Sequence, residues 1–265
     1  MGLNSCKLQS RKQVASSWVG NESENPFEII LNKKDRTCLR ESYQRLQEPK
    51  ELVGLIFVDI VNDIEPDLRT VFGVNRAPKA AMLSMPKLGG HVARFTDLLE
   101  QITSMLGVSE NLTGAWQLVR KTGRVHAKQA FLEQNFNQLE KNYFEIVLMV
   151  FEQRLIPYLT GEKEEPQPEG AAAPRKVRFA QSYTPEVVSG VWKKFFSIMV
   201  VQMTDAFELE RTKMKNSQNQ KTLAPHQHVE NAVKKKKRIS ERQSEIEHTA
   251  NSVEKGPETL FEDPF

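Results

Sequence analysis

GLIFVDIVNDIEPDLRTVF, residues 54 to 72, is the stretch on which the fold turns. Together with Leu52, two residues before it, the side chains of Leu55, Ile56, Ile60 and Ile64 recur at the three- and four-residue spacing of one helix face. Pro66 ends that helix, because proline has no amide hydrogen with which to continue it. Phe72 follows six residues after Pro66. His91 comes 19 residues after Phe72 (91 − 72), in His91-Val92-Ala93-Arg94-Phe95, and His126 another 35 on (126 − 91), in Gly123-Arg124-Val125-His126.

Helical periodicity extends on both sides. Leu39, Tyr43 and Leu46 mark an earlier stripe. Phe95, Leu98, Leu99, Ile102 and Leu106 mark a later one, stopped at Gly107. Trp116 to Gln129 is a fourth helix, and Leu139 to Leu155 a fifth that ends at Pro157. Residues 161 to 181 are rich in Pro, Glu and Ala and read as a long flexible loop. Helix resumes at Thr184-Pro185-Glu186, with Thr184 as N-cap and Pro185 at the first position, and Val188 to Met203 supplies a wide apolar face. No alternating strand pattern occurs, so the expected fold is all-α. Three segments are expected: a flexible arm over 1–29, a helical domain over 30–212, and a disordered basic and acidic tail over 213–265.

Hydrophobic residues make up 39% of the 265 and charged residues 27%, which fits one globular domain with polar appendages. A net charge of only +3 gives no reason to expect a nucleic-acid partner. Two cysteines, Cys6 and Cys38, do not make a disulfide framework and fit a reducing compartment. The longest apolar runs, Leu52 to Val58 and Ile146 to Phe151, are too short to span a bilayer. No signal-peptide pattern opens the sequence, so secretion is not expected.

Two histidines facing each other across a phenylalanine-lined slot are how a helical protein grips haem iron from both sides. The order proline, phenylalanine, histidine, histidine at these spacings resembles the globins, in particular the neuroglobin-like and nematode intracellular globins. The resemblance covers about residues 30 to 212. It implies a globin fold packed around haem b, with Phe72 stacked on the haem, His91 as distal histidine and His126 as proximal iron ligand. It also implies O2 or another diatomic gas as a partner. The sequence departs from the pattern at Tyr43, where globins commonly carry tryptophan, and at Thr122, where a leucine is usual.

His91 has two readings. It can hydrogen-bond O2, as in a reversible carrier or sensor, or bind iron itself in a bis-histidyl haem. Phe95 lies one turn on and crowds the pocket where many globins place valine; Val58 lines the same side and offers no hydrogen bond. The bis-histidyl reading is favoured, and it suits electron transfer from an unidentified donor, including one-electron reduction of O2 to superoxide. Arg94 is placed either to pair with a haem propionate or to remain solvated.

Met1-Gly2-Leu3-Asn4-Ser5-Cys6-Lys7 resembles an N-myristoylation signal at Gly2, with Cys6 where Ser or Thr is usual. A second acyl chain on Cys6 would supply the second signal that stable anchoring requires. The expectation is a lipid anchor on the cytoplasmic face of the plasma membrane, or a cytoplasmic protein if the chain is not acylated. Lys176 to Phe179 has the shape of a phosphatase-docking peptide, and Lys234 to Arg238, followed by Ser240, is a basic run of several uses.

Overall fold

The computed structural model describes residues 24–132, 143–165 and 183–253. Gly2, Cys6 and the 176–179 motif lie outside them. Every regular element among the described residues is helical. In chain order these are α1 (Pro26–Ile30), α2 (Lys33–Tyr43), α3 (Pro49–Asp59), a π-turn (Ile60–Ile64), α4 (Leu68–Val71), a 3₁₀ turn (Lys79–Ser84), α5 (Pro86–Val108), α6 (Thr113–Leu132), α7 (Tyr143–Leu159) and α8 (Pro185–Val253). The all-α expectation holds.

The chain divides into two units, Met1–Arg211 and Thr212–Phe265. In the first, α5 is the central helix and packs against α2, α3 and α6, while α3 also packs on α7. Its apolar face is the one the spacing predicts: Val92, Phe95, Leu99, Ile102 and Leu106 are all buried. Two threonines on the same helix, Thr96 and Thr103, are buried too. Each returns its hydroxyl proton to a carbonyl one turn back, Val92 and Leu99, so neither leaves a polar group unpaired in the core.

Trp192 of α8 is fully buried and fills the space beside Tyr43, ring centres 6.2 Å apart. Its indole N–H donates to Ser42 Oγ over 2.8 Å. A core tryptophan thus comes from α8, which compensates in volume for the tyrosine on α2. Cys38 is buried nearby, and burial pushes its thiol up to about 11, far from the thiolate form that reacts.

Several boundaries differ from the sequence expectation. Leu46 is buried but follows the end of α2. Pro157 does not stop α7, which continues to Leu159 and turns at Gly161, where φ is +78°. One proline removes a single bond of the ladder, whereas a left-handed glycine supplies the turn that ends it. The start of the long loop is tied down: the Glu165 carboxylate accepts from the amides of Gln47 (2.9 Å) and Glu48 (3.1 Å), capping α3 from 117 residues away. Residues 213 to 253 carry helical backbone. They are rich in Lys, Glu, Gln and Ala, strong helix formers even without an apolar face.

Candidate haem site

Five helices of the first unit converge on one pair of imidazoles. His91 enters from the second turn of α5 and His126 from the middle of α6. Their ring centres are 6.0 Å apart and their planes 88° apart. Both residues are half-buried. Phe72 caps α4 and its ring stands 5.1 Å from His91. Phe57 of α3 meets His91 edge-on at 5.2 Å, and Phe144 of α7 meets His126 edge-on at 5.3 Å. Phe95 closes a triangle with Phe57 (5.2 Å) and Phe151 (4.9 Å), and Phe57 links it to His91.

His126 is oriented by its own helix. Its Nδ1 lies 2.9 Å from the Thr122 carbonyl oxygen, which can only accept, so Nδ1 carries the proton and Nε2 is left with a free lone pair. The bond comes from the Thr122 backbone; the Thr122 hydroxyl donates instead to the Leu118 carbonyl, 3.0 Å away. Gly123 makes room for this helix, since a β-carbon there would run into the Met203 carbonyl of α8.

The surroundings keep both rings neutral. Burial, and then the charges of His126 and Arg94, push His91 down to about 3. His126 is lowered as well, chiefly by burial and also by Arg94, against the raising effect of the Thr122 carbonyl. Neutral imidazole is the form that binds a metal. Arg94 is exposed, and it has no hydrogen-bond or ion-pair partner among the described residues.

The residues present fit a haem better than a bare ion. Among the described residues no group of three His, Cys, Asp or Glu side chains could hold a metal. Two nitrogens on opposite sides of a gap need a ligand that brings its own equatorial donors, which a porphyrin does. Two metal–imidazole bonds of about 2.0 Å, plus about 1.1 Å from each nitrogen to its ring centre, separate the centres by about 6.2 Å. The observed 6.0 Å matches that span.

No protein-family model matches the chain, and no curated protein does. Among solved structures it is similar to the globin-like protein Glb-12 from C. elegans, at 64% identity and a TM-score of 0.63, over 74% of this chain and all of that one. The chain is a globin. Membership makes it a haem protein of the type that binds O2 or similar gases.

Within this globin, Phe72, His91, Phe95 and His126 are brought together, with Arg94 at the side. Val58 is buried, and its neighbour Phe57 makes a ring contact with His91. Phe57 escaped the sequence reading as a site residue for one reason. Leu52 to Val58 is apolar all round, and such a helix does not announce which side faces a ligand.

Proposed function

We propose that this globin carries haem b between His91 and His126 and works in one-electron transfer rather than in O2 storage. The 6.0 Å separation of the two rings carries the reading. It leaves space for one metal ion and its two bonds, and none for a diatomic ligand between iron and His91. The other ring neighbours of His91 are Phe57 and Phe72, which offer no hydrogen bond to bound O2. The haem supplies an iron that gains or loses one electron with little change in its ligands. Around it, His126 is held by the Thr122 carbonyl, His91 is wedged by two phenyl rings, and Arg94 supplies a cation for a propionate. Attachment is non-covalent, since the sequence has no Cys-x-x-Cys-His run. An electron passed to O2 gives superoxide, and a donor must then replace it.

The test is the optical spectrum of reduced protein without gas ligands. A low-spin, six-coordinate spectrum is expected; a high-spin, five-coordinate one would overturn the reading in favour of a reversible O2 carrier or sensor. Superoxide production is read as dye reduction that superoxide dismutase suppresses.

Gly2 and Cys6 support anchoring of the same molecule to the cytoplasmic face of a membrane through myristate and palmitate. A Gly2→Ala variant should lose membrane partitioning, and retention would exclude myristate as the anchor.

A further inference from the structure

We propose that the groove between α5 and α6 docks the acidic face of an electron-donating protein. The groove holds about 540 Å³ and is lined by Met105 of α5 and by Trp116, Arg120, Lys121 and Arg124 of α6, among others. No acidic side chain lines it. Elsewhere on this unit some surface cations are paired: Lys33 with Glu110, Lys50 with Asp97, Lys128 with Glu210 and Lys194 with Asp35. Lys121 and Arg124 have no such partner among the described residues. Two unpaired cations on one helix face, three residues apart, are complementary to a carboxylate surface.

The wall behind them is held rigid. Trp116 Nε1 donates to Gln202 Oε1 over 2.6 Å, and Arg120 donates to the same oxygen over 3.2 Å. The Arg120 guanidinium also lies 5.5 Å from the centre of the Trp116 ring. A fixed tryptophan, a methionine and arginines at the centre, with a lysine outside, is the composition of a protein–protein hot spot. The groove is open to solvent along the helix, which suits a protein surface better than a small enclosed ligand. Redox encounters use small interfaces and rely on charge for their rate.

The position matters because α5 carries His91 and α6 carries His126. Arg124 is two residues before His126 and follows Thr122, whose carbonyl holds the ring. Arg124 and His126 point about 200° apart on α6, so a donor seated here lies across the width of that helix from the His126 ring. What the partner does rests on the electron-transfer reading above; where it binds does not.

Two measurements test this on the full-length protein. In the first, ¹⁵N-labelled protein is titrated with the acidic peptide Glu-Glu-Leu-Glu-Glu-Asp. Shifts are expected at the Trp116 indole and along residues 117 to 124, and they should vanish in Lys121→Glu/Arg124→Glu. Unchanged shifts in that variant, or shifts elsewhere, would overturn the site. If inorganic phosphate gives the same shifts at equal concentration, the groove is a simple anion site and the protein partner is overturned. In the second, ferric haem-loaded protein is reduced by the anionic complex Fe(EDTA)²⁻ and by cationic hexaammineruthenium(II). Charge reversal should slow the anionic reductant about tenfold at low ionic strength and leave the cationic one equal or faster. Equal effects on both would overturn the role of the groove in electron delivery. Lys121→Gln/Arg124→Gln repeats both measurements should the reversed pair misfold. A five-coordinate reduced spectrum would overturn the redox reading and leave the peptide result standing.

Discussion

The imidazole rings of His91 and His126 stand 6.0 Å apart at 88° to one another. The two rings are held differently. His126 is fixed by a backbone bond, while the ring neighbours of His91 among the described residues are Phe57, Phe72 and His126 itself. Replacement should therefore be asymmetric. His91→Leu should retain haem, become five-coordinate when reduced, and bind carbon monoxide at least ten times faster. His126→Ala should lose most of its haem on gel filtration. Equal haem loss in the two variants would contradict this division.

Phe57 is the hinge of the distal aromatic cluster, touching His91, Phe95 and Phe151 at 5.2, 5.2 and 5.5 Å. Phe57→Ala should cost about 3–5 kcal/mol in urea unfolding, the range for a buried phenyl truncated to a methyl. It should also free His91 to dissociate from iron, seen as a growing high-spin fraction in the reduced spectrum. Val58→Ala, at a buried position without ring contact to His91, should lower stability and leave the spin state unchanged.

Arg69 ties together the corner that presents Phe72. Its guanidinium donates to the carbonyls of Val74 and Asn75 (3.2 Å each) and Ala77 (3.0 Å), and also to Asn62 of the π-turn. Gly73, at φ +67°, makes the turn these carbonyls require. Lysine has one ammonium and cannot reproduce the fork. Arg69→Lys should cost about 1–2 kcal/mol for a half-exposed group and accelerate haem transfer to an apoglobin acceptor, because Phe72 loses its fixed backbone.

Acid should unfold the haem-free protein through the two histidines. In the unfolded chain each titrates near 6.5, while burial holds His91 down at about 3 and lowers His126 in the same direction. Below 6.5 the unfolded chain therefore binds more protons than the folded one. Stability is complete above pH 6.5 and falls as the pH drops towards 3, by about 1.4 kcal/mol per pH unit for each histidine that must take a proton. Urea melts between pH 7.5 and 4.5 measure the slope, and His91→Phe should make it shallower. An unchanged slope in that variant would place the acid sensitivity elsewhere.

The globin fold was legible in the linear chain because proline, phenylalanine and two histidines sit at spacings that helix lengths impose, and those lengths are written in periodic apolar residues and caps such as Thr184-Pro185. The helical class and membership of the globin family needed nothing more. Which neighbours hold those residues was decided only in three dimensions. Phe57 meets His91 because a helix apolar on every side takes its rotation from what packs on it, here α5 and α7. Trp192 replaces the volume missing at Tyr43 from 149 residues away (192 − 43), and Glu165 caps α3 from across the loop. The groove beside Lys121 and Arg124 likewise exists only where α5 and α6 lie together. Local sequence sets helices and their ends through hydrogen bonds a few residues long; contacts between distant residues depend on how those helices cross.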